Sequence, residues 1–453
     1  MFKKILYTLV IATFFASCDT DKYLELAPLA AIGDNAFYTN ADEVNEGVIA
    51  IYDGLQAVYQ REFALTEMRS DNTETKSSEG IWAEFESFTV LPVNQTIGEY
   101  WAANYNVIFR ANRILENLEV VEDATRKAQF EGEARFARAL GHFNLVRAYG
   151  DVPLLDRVVI QTDTEYFGQK PASEVLAFII SDLEIAATQL PGRADIQEGR
   201  ATQAAAQALL GKVRLTTGDY SGAETVLKAV LDNADYALVE EYNDVFYDEM
   251  NSEIIFAVAY INDNVNESQD FSFEMTLGGV VSGLNYLTDD FKQFATDSAG
   301  AERLAVLVSP NNANEVGKFL TSSSDVRLCG NDWIVLRLAD VHLMYAEAKM
   351  AGAASTTDAD AIASYNAVRG RAGMWLLAQG ALTKETLSDE RRAELAFENH
   401  RLYDLIRFGK AETVLSAFAA SQGNSFNATD LVLPIPQNEI NISQGELSQN
   451  PGY

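Results

Sequence analysis

The chain is short of the residues that build metal and redox centres. Its 453 residues include two cysteines, Cys18 and Cys329, and three histidines. His142, His342 and His400 never stand at i, i+4 spacing to one another. A zinc site needs clustered ligands, so these rings are read as core or interface residues. No Gly-rich loop follows a strand-like run, which leaves nucleotide binding without support. Basic residues are also scarce: 34 Lys and Arg against 66 Asp and Glu give a formal charge of −32. Such a surface repels nucleic acid and disfavours a strongly polyanionic ligand unless a local basic groove overrules the field. Its plainest consequence is solubility in a salty medium. No cofactor is expected. The stretch Asn262-Asp263-Asn264 with Asn266, Glu267 and Asp270 offers hard oxygen ligands. Calcium is therefore the one ion to consider, although the stretch lacks the glycine and spacing of an EF-hand. Long apolar runs are missing too. The longest, Ile5 to Phe15, falls short of the roughly 20 residues that a membrane-spanning helix needs.

That short run has a meaning of its own. Lys3 and Lys4 precede it, and Ala16, Ser17 and Cys18 follow. A charged start, a short apolar stretch and a small-residue processing site make a secretory signal. The small-small-Cys ending resembles the lipobox of bacterial lipoproteins, with Phe15 where leucine is usual. The resemblance implies cleavage before Cys18 and a diacylglycerol on its thiol. Each buried methylene contributes about 0.8 kcal/mol, so two or three acyl chains hold a protein on a membrane almost permanently. By this reading residues 1–17 are a signal peptide and 18–453 are the mature chain. Acylation of Cys18 would leave Cys329 without a disulfide partner, so stability has to come from packing. Loss of Lys3 and Lys4 takes the balance to 32 − 66, or −34. Asp19 and Asp21 lie in the polar spacer Asp19 to Glu25. They resemble the acidic surface-export signal of Bacteroidetes lipoproteins, which favours the outer face of the outer membrane.

The mature chain is long enough for one large domain or two. Most of it reads as helix. Apolar residues recur at helical spacing over 42–60 (Val44, Val48, Ile51, Tyr52, Leu55, Tyr59) and 98–118 (Tyr100, Trp101, Tyr105, Ile108, Ile114, Leu118). Trp101 therefore belongs to the core. A third stripe runs through 125–148, with Asp123 or Thr125 as its cap and Gly150 as its stop. Helices over 172–190 and 201–217 follow. A turn at Gly218-Asp219 then leads into another helix near Ser221. The small residues Ala208 and Gly211, with Tyr220 and Ala223, resemble a tetratricopeptide unit, in which two antiparallel helices approach closely. A second helical block covers 333–352, 357–371, 385–408 and 410–420. The run 254–260 (IIFAVAY) reads as a strand. Two stretches, 61–97 and 262–332, have few helical stripes and read as long loops with short elements. Long irregular segments inside a domain are usually functional.

Several blocks match one family: YWAANYNVIFRAN (100–112), GEARFARALGHFNLVRAYGDVPLL (132–155), LRLADVHLMYAEAKMAG (336–352), YNAVRGRAG (365–373), ERRAELAFENHRLYDLIRFGKA (390–411), LVLPIPQNEI (431–440) and QNPGY (449–453). In this order and with the lipobox, they resemble the SusD/RagB family of Bacteroidetes outer-membrane lipoproteins, from residue 18 to the C-terminus. The resemblance implies an all-α fold of four tetratricopeptide-like helix pairs in a right-handed superhelix, with a loop-rich ligand-binding subregion. It also implies a non-enzymatic role. Members lie as lids on a SusC-like TonB-dependent outer-membrane transporter and capture oligosaccharides, or in the RagB-like case peptides, before import.

A sugar presents hydroxyls and apolar C–H faces, so its receptor needs exposed rings for stacking and planar polar groups for vicinal hydroxyls. Two places qualify: 67–86, with Arg69, Asp71, Asn72, Glu74, Trp82 and Phe85, and 282–291, with Asn285, Tyr286, Asp289 and Phe291. The resemblance points to loops in these same regions. Trp82 is the first choice of stacking platform and Tyr286 the second, with Arg69 and Asn72 as hydroxyl partners and Asp71 and Asn285 beside them. The competing reading makes the rings loop anchors in the core. Trp333, at a helix start, and Trp375, after a helix, stay unassigned. In 390–411, Leu395, Leu402, Leu405, Ile406 and Phe408 read as one buried stripe. Glu394, Glu398, Arg401, Asp404 and Arg407 sit three or four apart, and read as braces between helices rather than a binding face. Pro434 and Pro436 fix an extended tail whose NPGY end docks on the core. The ligand expected from the net charge is a neutral glycan. A glycoside hydrolase, which needs two carboxylates at a set separation, and a pure tetratricopeptide scaffold binding peptides are the alternatives.

Overall fold

The apolar stripes of the sequence become the buried seams between neighbouring helices. The computed structural model describes residues 37–453 apart from 76–79, 270, 277–283, 322, 326 and 378–379. The signal segment, Cys18 and the spacer behind it, as well as Asp270, lie outside the described residues.

Helix α1 (Ala41–Tyr59) starts where the Asn40 side chain accepts from the Asp42 and Glu43 N–H groups, and it buries Val44, Val48, Ile51, Leu55 and Tyr59. Asn94 caps α2 (Gln95–Glu116), whose Tyr100, Trp101 and Ile108 are buried. Asp123 caps α3 (Ala124–Tyr149), and Gly150, at φ 77°, ends it. Next come α4 (Ala172–Gln189), α5 (Gln203–Thr217) and α6 (Tyr220–Leu231). Gly218 is left-handed (φ 78°), a conformation that costs glycine little, and lets the chain reverse from α5 into α6. Further along are α7 (Asp289–Ser298), α8 (Leu338–Met350), α9 (Ala359–Arg371), α10 (Lys384–Leu395) and α11 (Ala411–Ser421).

The packing order is serial. Helix α1 lies on α2, α2 on α3, α3 on α4, α4 on α5, α5 on α6, α6 on α8 and α8 on α9. Eight helices, each packed on the next, form the stacked helix pairs of a tetratricopeptide-like solenoid. The small-residue expectation holds at α5 and α6, where a Cβ on Gly211 would run into the Leu227 side chain. Among the described residues, three two-stranded antiparallel ladders decorate this stack. They are β1 (Thr73–Glu74) with β3 (Tyr286–Leu287), β2 (Ile254–Val258) with β4 (Trp333–Arg337), and β5 (Ser355–Thr356) with β6 (Leu382–Thr383). The tail docks as expected. The Asn450 amide donates to the Tyr149 and Leu433 carbonyls, and the Tyr453 hydroxyl donates to that of Val432.

Four expectations are corrected. Residues 333–337 are strand, not helix, because WIVLR is β-branched and aromatic and β2 lies beside it, pairing Val258 with Trp333 and Ile254 with Arg337. Trp333 is consequently a core residue, 2% exposed. The helix expected over 385–408 is two helices, α10 and a short one at Arg401–Arg407. Between them Phe397 and Asn399 take positive φ (68° and 62°). Tertiary partners hold the break: the Asn399 N–H donates to Glu67 (3.0 Å), its amide donates to Glu62 (2.8 Å), and Phe397 packs on Phe291. The break also splits the expected stripe, leaving Ile406 38% exposed and Phe408 half-buried. Lastly, the two loop-rich stretches hold more helix than their composition suggested, including Glu62–Thr66, α7 and Ala301–Leu307.

The charges of 390–407 do brace the fold, mostly across elements rather than along one helix. Arg337 lies among Glu253, Glu394 and Glu398 at 2.6–2.8 Å. Arg303 pairs with Glu390 and Glu394, Lys318 with Glu398, and Arg371 with Glu253 and Glu394. All of these side chains are nearly sealed from solvent, so removing one partner would strand a buried charge. Asp404–Arg407 is the one pair among the five residues named from the sequence that closes within its own helix.

Candidate ligand-binding site

The two loops singled out in the sequence meet in space. Strand β1 pairs with β3, Thr73 facing Leu287 and Glu74 facing Tyr286. The Thr288 N–H donates to the Asn72 carbonyl at 3.1 Å, and its hydroxyl donates to the Asp71 carbonyl at 2.9 Å. Thr288 also caps α7. One residue thus ties the second loop to the first and starts the helix behind it.

The polar residues of these loops face inward. Asp71 is gripped by Arg401 at 2.7 and 2.8 Å and by Arg392 at 3.1 Å. Burial works against its charged form, but the two guanidiniums outweigh it and hold the carboxyl at about 2. Asn72 is fully buried and accepts from Arg392 at 2.9 Å. Arg69, 2% exposed, donates to the Leu65 and Asp430 carbonyls. Arg69 and Asn72, expected as hydroxyl partners, are 2% and 0% exposed, and Asp71 beside them is 7% exposed, so these side chains mainly hold the loop. Their charges and amides are spent on Arg392, Arg401, Glu67 and main-chain carbonyls, partners that lie more than 300 positions away along the sequence except for Leu65 and Glu67. Asn285 is buried as well, and among the described residues neither its amide nitrogen nor its amide oxygen has a hydrogen-bond partner.

The two rings behave differently. Tyr286 is half-buried. Trp82, in the short turn Gly80–Trp82, is also half-buried. Its ring is stacked with Phe63 at 5.9 Å between centroids and 12° between planes, and the Arg61 guanidinium lies 5.9 Å from its centroid. The platform and anchor readings are therefore both partly realised in Trp82. Trp375 is the outlier, 92% exposed.

Two cavities lie near Trp82, which lines neither of them. One, of about 600 Å³, runs between α1 and α2 and is lined by Gln56, Gln60, Arg61, Glu99, Ala102 and Asn106 among others. The second, of about 590 Å³, is lined by Val93, Asn94, Gln95, Gly98, Glu99 and the start of 436–441. They share Glu99 and Ala102. Sequence reading passed over these residues because they occupy the polar faces of amphipathic helices. The only signal was the four-residue spacing of Gln56 and Gln60. In the calcium candidate, the Asn264 side chain accepts from the Asn266 and Glu267 N–H groups, and Glu267 accepts from Gln56.

Comparison with known proteins follows this geometry. Residues 311–453 match the family model described as SusD family, and residues 22–215 match one described as starch-binding associating with outer membrane. A SusD-like protein P2 of Formosa agariphila is 24% identical over 99% of both chains. A SusD-like protein of Bacteroides ovatus is 26% identical over 90% of this chain and 82% of its own. A solved structure described as a laminarin-binding SusD-like protein superposes with a TM-score of 0.79 at 28% identity, covering 92% of this chain and 100% of that one. A SusD homologue from Bacteroides thetaiotaomicron gives 0.79 at 21% identity, over 93% and 98%. With one family model over the N-terminal helices, another over the C-terminal block and tail, and relatives alike along nearly their whole length, the chain belongs to the SusD/RagB family.

Proposed function

We propose that this protein is a cell-surface receptor that captures a neutral oligosaccharide and delivers it, uncut, to a SusC-like TonB-dependent transporter in the outer membrane. The observation that carries the reading is the joining of two distant loops at β1 and β3 beside half-exposed Trp82 and Tyr286, on a scaffold 28% identical to a laminarin-binding protein. Rings of this kind suit the apolar faces of sugars, and a rigid ring loses little conformational entropy on binding. Capture needs no catalytic group, and two carboxylates of the first loop are tied up: Asp71 with two arginines, and Glu86 with the Thr75 N–H and hydroxyl.

The test is calorimetry on the mature chain with Cys18→Ser in place of the anchor, against laminari- and malto-oligosaccharides. Binding is expected, with Trp82→Ala weakening it at least tenfold, or about 1.4 kcal/mol. Unchanged affinity in the variant removes Trp82 from the site. Binding of a peptide library in place of every sugar moves the cargo to the peptide class. Release of reducing ends by clean protein overturns the receptor reading in favour of a hydrolase.

A further inference from the structure

The two cavities near Trp82 carry an inference that rests on the glycan-capture reading. Since they meet at Glu99 and Ala102, they form a trough along α2 from Gln95 to Arg110. At 1.5 Å per residue that is about 22 Å, room for several sugar rings in a row. Trp82 lines neither half, but one liner of each comes close to it or its neighbour. Arg61, a liner of the first, lies near its ring, and Asn94, a liner of the second, donates to the carbonyl of neighbouring Ile81 at 2.9 Å.

The lining chemistry points to one class of occupant. Amide side chains make up four of the fifteen residues around the first cavity and five of the twelve around the second. Amides offer a donor and an acceptor side by side, which suits vicinal hydroxyls. Several are held in place. Gln56 donates to the Ala259 carbonyl at 2.9 Å, Gln60 to that of Ser268 at 3.0 Å, and Gln95 to Glu99 at 2.6 Å. Groups fixed before binding cost less to order on binding. Small residues on the floor, Gly54, Gly98, Ala102 and Ala103, leave the space open. Val265 and Val93, 76% and 73% exposed, line one half each and offer apolar surface to C–H faces. Charge is nearly balanced, with Asp53, Glu99 and Glu439 against Arg61 and Arg110, on a chain whose totals are 66 against 34. A charged polymer has no matching field here.

We infer that this trough on α1 and α2 is an extension of the ligand site, holding further rings of a neutral oligosaccharide whose leading ring lies at Trp82. Length is then read by the trough, and long chains bind more tightly than short ones.

The experiment compares laminaritriose with laminarihexaose, and maltotriose with maltohexaose, on the Cys18→Ser mature chain by calorimetry. Ala102 is exposed, so Ala102→Glu fills the trough without disturbing the core; Asn106→Ala is the milder second variant. The wild type is expected to bind the hexasaccharide of its preferred linkage at least tenfold more tightly than the trisaccharide. Ala102→Glu should remove that advantage and leave trisaccharide affinity within twofold. Hexasaccharide affinity unchanged in both variants, while Trp82→Ala weakens it, overturns the trough and leaves the receptor reading standing. Failure of the wild type to bind any of the four sugars defeats both.

Discussion

Glu67 shows what burial costs a single residue. It is 0% exposed at the base of the first loop, where its carboxylate accepts from the Asn399 N–H. Burial pushes its carboxyl up to about 7, against the hydrogen bonds from Asn399 and Asn72. In the unfolded chain a glutamate titrates near 4.3. Below about pH 4 both states are protonated and the group contributes nothing. Between there and pH 7 the folded state holds a proton that the unfolded state has lost, so stability falls as pH rises, by up to about 1.4 kcal/mol per pH unit. His142, His342 and His400 act in the opposite sense. Burial holds them down at about 3, 4 and 3, so stability is lost as pH drops below 6.5 and the unfolded rings charge. Glu67→Gln isolates the first effect. Urea unfolding at pH 5 and pH 7 should show the variant's gain over wild type growing from pH 5 to pH 7. An equal difference at both values would mean that Glu67 is ionised in the folded state.

At the scale of elements, the α5–α6 seam sets two known effects against each other. Replacing a mid-helix glycine by alanine favours the helix by about 1 kcal/mol. At Gly211, however, the added Cβ meets the Leu227 side chain, which is itself 0% exposed and has nowhere to move. Overpacking a core costs about 1–3 kcal/mol, so the clash wins. Gly211→Ala should lower stability by roughly 1 kcal/mol or more in denaturant melts, whereas an increase would show that the helix pair can part without loss. The seam was legible in the sequence because small residues at helical spacing have one common use. The break between α10 and Arg401–Arg407 was not, since an unbroken helical pattern runs across it. Glu62 and Glu67, more than 300 positions earlier, capture Asn399 and decide the matter. The same distance explains Asp71 and Asn72: polar residues in a polar loop look accessible until Arg392 and Arg401 arrive from another element. Arg69 is drawn in by the Asp430 carbonyl, as far away along the chain.

For the whole molecule the question is attachment. No helix among the described residues is long and apolar enough to cross a membrane, and part of the chain matches a model described as associating with the outer membrane. The Ala16-Ser17-Cys18 ending proposes how: acyl chains on Cys18, each methylene worth about 0.8 kcal/mol in the bilayer. Cys18→Ala should therefore move the protein from the membrane fraction to the soluble fraction on cell fractionation and abolish labelling by a radioactive fatty acid. Continued membrane retention of the unlabelled variant would place the attachment in protein contacts instead. The −32 charge belongs to this scale as well. It sets how the surface meets salt and polyanions, while the near-balanced trough sets what the site admits.

Periodicity and composition alone determined the helical class, the close α5–α6 seam and the two stretches with few helical stripes, because each depends on residues near one another in the chain. Tertiary structure decided which loop side chains are buried, where a helix breaks, that WIVLR is a strand, and that amides of α1 and α2 line adjoining cavities. Those outcomes turn on partners brought from afar, and a buried polar group takes whichever partner satisfies it, at whatever sequence distance.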